Sequence, residues 1–279
     1  MAKLIDFDGM FDRQLTRYMK ENAGKYAEKE WERMIPGLYE KFGDTFVKSA
    51  DDTPRGYYKK MDDKTLVETL VRHVEEGVPI SDFLCRELEN RDCPDELVSL
   101  LGSGNEEILT LAVNLAGSSR KALPALLDIV AGDFDKEIRD AAADMLKAGA
   151  DEVSDRVLSL YEQGVATEYM LEILSRCKKR KEKIYSVLLS AFRTSGEGEI
   201  PMRASYLAAY GDERALPVLL EFIDRDEINY LEFQELRYAI EALGGEYTRE
   251  RDFSEDAYYK EIMEQSALPP DFDPVKKAD

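Results

Sequence analysis

Asp212-Glu213-Arg214-Ala215-Leu216-Pro217-Val218-Leu219-Leu220 repeats the pattern of Ser119-Arg120-Lys121-Ala122-Leu123-Pro124-Ala125-Leu126-Leu127. The two prolines stand 93 residues apart, three times 31. A period of 31 requires equivalent helices near residues 155 and 186, and both are present. Val153, Val157, Leu158, Leu160 and Tyr161 form one, and Ile184, Leu188, Leu189, Ala191 and Phe192 the other. Each keeps the spacing of Ala122, Leu126, Leu127, Ile129 and Val130. Pro124 and Pro217 fall in first turns, where a missing N–H costs little.

Between these helices runs a second class rich in alanine, at 108–117, 138–146, 169–175, 202–211 and 236–244. Alanine at buried positions lets neighbouring helices approach closely. Gly117, Gly149, Gly211 and Gly244 read as helix stops in the left-handed cap conformation. Upstream, 66–74 and 80–88 make a further pair, followed by 96–101. A single hairpin cannot bury its own apolar face and must stack on others. The expectation is an all-α chain of roughly five or six stacked helical hairpins.

Glycine, one or two acids, Arg214-Ala215-Leu216-Pro217-Val218-Leu219-Leu220, an acidic turn and then an Ala-rich helix opening on apolar-Arg resembles a HEAT-like repeat of the bilin-lyase (PBS-lyase) subtype. The likeness covers about two-thirds of the chain. It is strong at 103–149 and 201–245, and weak at 165–198, where Arg176–Lys183 replaces the short glycine turn. The resemblance implies a right-handed α-solenoid with the Ala-rich helices lining its concave side. Three parts are expected: a helical segment at 1–60 capping the array, the repeats at 61–250, and a capping helix with an extended tail at 251–279. In the first part the apolar stripe Phe11, Leu15, Tyr18, Met19, Tyr26, Trp31, Met34, Ile35 is interrupted at Asn22-Ala23-Gly24. Pro36 predicts a boundary or kink near Ile35. In the last part Ser254 is the expected N-cap of a helix over 257–263, and 267–274 is proline-broken.

The chain of 279 residues holds 38 Lys and Arg against 58 Asp and Glu, a net charge of −20. Residues 1–60, with 12 bases and 11 acids, stand apart at +1. So strong an excess of acid opposes nucleic acid. It also turns the polar residues expected on the Ala-rich helices into a candidate binding surface. Asn114, Asp140, Asp144, Glu172, Tyr206, Tyr238 and Glu241, with Thr110 beside them, are the expected partner-binding residues. Acids and tyrosines suit a cationic protein or peptide through charge and cation–π contact. Arg139, Arg203 and Arg237, each after an apolar residue, read as structural ties to carboxylates or backbone carbonyls. Arg176–Lys183, the one basic cluster, reads as a junction facing acidic neighbours.

Catalytic readings fail on inventory. One His, His73, cannot build the His-Glu pairs of HEAT-like di-iron hydroxylases, and no multi-histidine metal site is possible. No GxSxG, HExxH, Walker A or dinucleotide fingerprint is present. The alternative from another class is a HEAT-like enzyme of nucleic-acid metabolism, similar to a DNA glycosylase, which the acidity opposes. No cofactor and no metal are expected. No 18-residue apolar run and no leader-like h-region is seen, and three Cys without a CxxC pair suit reduced thiols. The expectation is a cytoplasmic, non-enzymatic scaffold, monomeric or weakly self-associating.

Overall fold

The computed structural model describes residues 2–91, 93–117, 119–196 and 198–266. Among them the regular structure is helical throughout: sixteen α-helices, two short 3-10 turns at Leu100–Gly102 and Glu213–Ala215, and one isolated bridge between Val47 and Asp52. None of these helices is long and apolar enough to cross a membrane. The chain forms two compact units, Met1–Gly149 and Ala150–Asp279. The stretch 267–274 lies outside the described residues.

The first unit contains α1 (Phe7–Glu21), α2 (Glu28–Gly43), α3 (Pro54–Lys59), α4 (Asp63–Glu75), α5 (Asp82–Glu89), α6 (Asp95–Ser99), α7 (Glu106–Ala116), α8 (Leu123–Ala131) and α9 (Lys136–Ala148). Short polar side chains start many of them. Asp6, Thr53, Asp62, Ser81 and Asn105 each accept a hydrogen bond from a first-turn N–H, satisfying donors that the helix leaves open. The break between α1 and α2 falls at the expected Asn22-Ala23-Gly24. Pro36 does not end α2, contrary to the expected boundary. Its ring sits on the exposed side, away from the packed face that Trp31 and Phe42 hold.

The aromatic stripe of α1 and α2 packs at its base onto the helices that follow. Phe7 meets Tyr57 and Tyr58 edge-on at 5.8 and 5.7 Å, and Tyr39 stacks on Phe83 at 4.6 Å. The Asp8 carboxylate accepts from the Tyr39 hydroxyl at 2.7 Å and from Ser81 Oγ at 3.2 Å, tying α1 to α2 and to the start of α5. Glu40 of α2 accepts from both Arg55 and Arg86.

The second unit contains α10 (Ala150–Glu162), α11 (Thr167–Ser175), α12 (Glu182–Arg193), α13 (Ile200–Tyr210), α14 (Leu216–Ile223), α15 (Tyr230–Ala242) and α16 (Ala257–Ser266). Its helices pair in order, α10 with α11, α12 with α13 and α14 with α15, as α8 pairs with α9 in the first unit. The helices required near 155 and 186 are α10 and α12, and both prolines occupy first turns. Gly211 closes α13 at φ 72°, the left-handed conformation glycine favours. Gly149 does not adopt it, with φ −107°. There a Cβ would come 2.7 Å from Leu123 Cδ1, so glycine lets Leu123 pack closely against the turn. The last helix starts at Asp256, not Ser254. The Asp256 carboxylate accepts from Tyr259 N–H at 2.9 Å and Tyr230 N–H at 3.1 Å, capping α16 while fixing it to α15.

Glu40 carries a pH dependence. The Arg86 and Arg55 guanidinium groups hold its carboxyl below the ordinary 4.5, so the folded state gains from the ionised form. That gain is present above pH 4.5 and is lost as pH falls through the folded value. Glu40→Gln is expected to lower the urea midpoint at pH 7 and to converge with the wild type as pH falls below 4.5, which flattens the acid limb. An unaltered acid limb in the variant contradicts this role.

Candidate functional site

The Ala-rich helices share one burial register. In α13 it runs Arg203, Tyr206, Leu207, Tyr210; in α15, Leu236, Ala239, Ile240, Leu243. In α11 it runs Met170, Ile173 and Leu174, with Cys177 just past the end. Superposing these positions puts Glu172, Ser205 and Tyr238 at one helical place, and Tyr169, Met202 and Glu235 three residues before it. In the second unit α11 packs beside α13, and α13 beside α15, so these places make up one outward face. On it Tyr238 is 59% exposed and Met202 42%, while Ser205 and Ala209 keep its middle low.

Four expected residues of this unit therefore divide. Glu172, Tyr238 and Glu241 face outward, half-buried or exposed. Tyr206 does not: it is buried, 8% exposed, because it stands at the register of Ile173 and Ala239, which belong to the core. Burial first, then the charges of Glu172 and Glu168, raise its hydroxyl above the ordinary 10. Sequence reasoning placed the tyrosine one residue out of register and missed Ser205, Met202 and Tyr169. The buried i, i+3, i+4, i+7 pattern was the signal that could have found them.

In the first unit, Asn114 of α7 and Asp140 and Asp144 of α9 lie on helices that pack together. Asn114 opens onto a cavity of about 640 Å3 whose charged lining is mainly basic, with Arg91, Arg120 and Lys121 against Glu89. An acidic surface is thus not its surrounding. At the other end of α7, Thr110 borders a groove of about 390 Å3 that reaches the start of α9. There Asp135, by hydrogen bond and charge, raises the Glu106 carboxyl above 4.5.

The acids are less available than their number suggests. Asp140 pairs with Lys136 at 2.6 Å, Asp144 with Lys147 at 2.6 Å, and Glu241 with Arg237 at 3.0 Å, each within one helix. Such exposed pairs are worth about 0.3–0.5 kcal/mol, so an incoming cation exchanges for them at small cost.

The apolar-Arg pattern splits by position. Arg139 Nε donates to Val130 C=O at 3.0 Å, and Arg203 Nη1 to Ala191 C=O at 2.9 Å, in both cases near the end of the preceding helix. Arg203 also pairs with Glu168 at 2.8 Å and Glu199 at 2.9 Å, joining α11, α12 and α13. Arg237 makes its bond within α15. Past the end of α14 the carbonyls of Arg225 and Asp226 are taken by Arg251 instead.

The basic cluster is a junction. Lys181 Nζ donates to Ser154 Oγ at 2.9 Å and Asp155 at 2.8 Å, Lys183 pairs with Glu162 at 2.8 Å, and Arg180 lies over the Tyr210 ring at 4.6 Å. The Lys181 backbone N–H donates to Tyr210 Oη at 2.9 Å. His73 is fully buried in α4, with Nδ1 3.1 Å from the Val78 carbonyl. Among the described residues no group of three or more His, Cys, Asp and Glu could hold a metal ion. A scan of family models finds no match to the chain, nor does a search of curated proteins.

Two measurements follow from this geometry. Arg203→Leu leaves Glu168, Glu199 and the Ala191 carbonyl without their shared donor. It is expected to destabilise the chain by about 2 kcal/mol in urea unfolding, since bonds to charged groups contribute about 1.5–3 kcal/mol. A loss under a few tenths contradicts the tie. The thiols supply the second. Burial pushes Cys85 and Cys177 up to about 11, from an ordinary 9. At pH 8 the thiolate fraction falls to roughly 0.1%, so both are expected to alkylate about a hundredfold slower in the native chain than in urea. Equal rates, followed by peptide mass spectrometry, contradict that burial.

Proposed function

We propose that this chain is a non-enzymatic protein-binding scaffold, built as a right-handed HEAT-like α-solenoid. Its α11–α13–α15 face receives a cationic segment of a partner protein. The single observation that carries the reading is that Tyr238 and Met202 stay exposed there, on a face that also presents the acids Glu172 and Glu241 and the small Ser205 and Ala209. The repeat pattern and the pairing of successive helices support the solenoid. A guanidinium laid over Tyr238 gains about 0.5–1 kcal/mol at an exposed site. It also reaches Glu241, whose bond to Arg237 is a weak same-helix pair. Ser205 and Ala209 leave room for a peptide backbone between the Glu172 and Tyr238 sides of the face. A nucleic acid gains little here, because Lys181 and Lys183 of the basic cluster already hold acids.

The test uses a poly-arginine peptide titrated against the full chain. Binding is expected to weaken at least tenfold as salt rises from about 50 to about 500 mM, the range over which screening shortens to a few ångströms. Tyr238→Ala is expected to weaken it about twofold to fivefold, the equivalent of the cation–π gain. Asn114→Ala serves as the unaffected control. Binding indifferent to salt, or unchanged in Tyr238→Ala, overturns the reading.

A further inference from the structure

The α1–α2 hairpin carries more apolar surface than the first unit covers. Its base is packed, with Phe7 on Tyr57 and Tyr58 and Tyr39 on Phe83. Its distal half holds its aromatic rings against one another. Tyr18 and Tyr26 meet Trp31 edge-on at 5.8 and 5.1 Å and each remains 37% exposed. A groove of about 250 Å3 runs between the helices, bordered by Phe11, Leu15, Tyr18, Leu38 and Phe42. Phe46 is exposed just beyond its Thr45 edge. Two helices alone cannot close such a seam; two more complete a four-helix bundle.

Charge selects the occupant. The chain from residue 61 onward carries a net of −21, so copies repel one another over most of their surface. Residues 1–60 are near neutral, and the distal half of the hairpin divides its charge unevenly between the two helices. The distal half of α1 presents Arg13, Arg17 and Lys20 against Asp12 and Glu21. The first half of α2 presents Glu28, Glu30 and Glu32 against Lys29 and Arg33. A two-fold interface requires a surface complementary to itself, so that α1 of one copy meets α2 of the other and the reverse. One excess base on the distal half of α1 beside one excess acid on the first half of α2 satisfies that requirement. The helices have 15 and 16 residues, about 22 and 24 Å long, enough for a face on the scale of 800 Å2 per partner that stable interfaces use.

We infer that the α1–α2 hairpin is a self-association surface, which pairs with the hairpin of a second copy of this chain as a two-fold four-helix bundle. Sedimentation equilibrium of the full chain tests it. The wild type is expected to shift toward twice 31.8 kDa with rising concentration. The double variants R13E/R17E and E28K/E32K alter exposed side chains only, and circular dichroism checks that their helicity is kept. Each alone carries like charge on both helices and is expected to dimerise at least tenfold more weakly. Mixed in equal amounts, they are expected to form a heterodimer of near wild-type affinity, because each now supplies what the other lacks. A wild type that stays monomeric overturns the inference. So do variants that dimerise undiminished, or a mixture that remains monomeric. A monomer that floats with anionic phosphatidylserine vesicles assigns the hairpin to a lipid surface and likewise overturns it.

Discussion

A helical hairpin made of amphipathic helices has an apolar face that its own two helices cannot cover, and most of this chain is arranged around that constraint. Each short helix here is marginal alone, because nucleation is costly and five to thirteen residues supply few hydrogen bonds to offset it. Stability comes from the third surface that each hairpin finds. In the second unit α13 lies between α11, α12 and α15, and its buried side carries Tyr206, Leu207 and Tyr210. Close approach then requires small residues where helices touch, which accounts for Ala204, Ala239 and Gly149. The same constraint singles out the α1–α2 hairpin, where the third surface is supplied at one end only.

Stacking also produces polar loose ends, because every helix leaves carbonyls open at its C-terminus. Arginine solves this repeatedly. Arg139 and Arg203 reach back to the carbonyls of Val130 and Ala191, and Arg251 closes those beyond α14. Planar guanidinium groups with several donors suit this task better than an ammonium group. The basic junction at 176–183 belongs to the same economy of ends, with Lys181 and Lys183 reaching the acids of α10. A net charge of −20 therefore describes the whole chain and not any one of its surfaces. Asp140, Asp144 and Glu241 each meet a base from their own helix, so local field and total charge diverge.

Much of this was readable in advance. The repeat of Ala-Leu-Pro before an apolar run located α8 and α14, and the period of 31 located α10 and α12 between them. What misled was local. Pro36 reads as a helix end, but it falls on the exposed side of α2, where its ring meets no packed neighbour helix, and the helix continues through it. Ser254 reads as an N-cap, but Asp256 also accepts from Tyr230 and so wins the helix start. Tyr206 reads as a surface residue by its hydroxyl, yet its position in the register belongs to the core.

Periodicity, proline placement and composition thus determined, from the sequence alone, that the chain is helical and where the helices around 108–223 lie, while the short helix α3 at Pro54–Lys59 gave no such signal. Those properties depend on neighbours along the chain, which a sequence displays. Only the tertiary structure decided which side chains tie one helix to another and which hairpin end is left uncovered. Those depend on partners twenty-eight or more residues away, as between Lys179 and Asp151 or Arg203 and Glu168, and no local pattern encodes them.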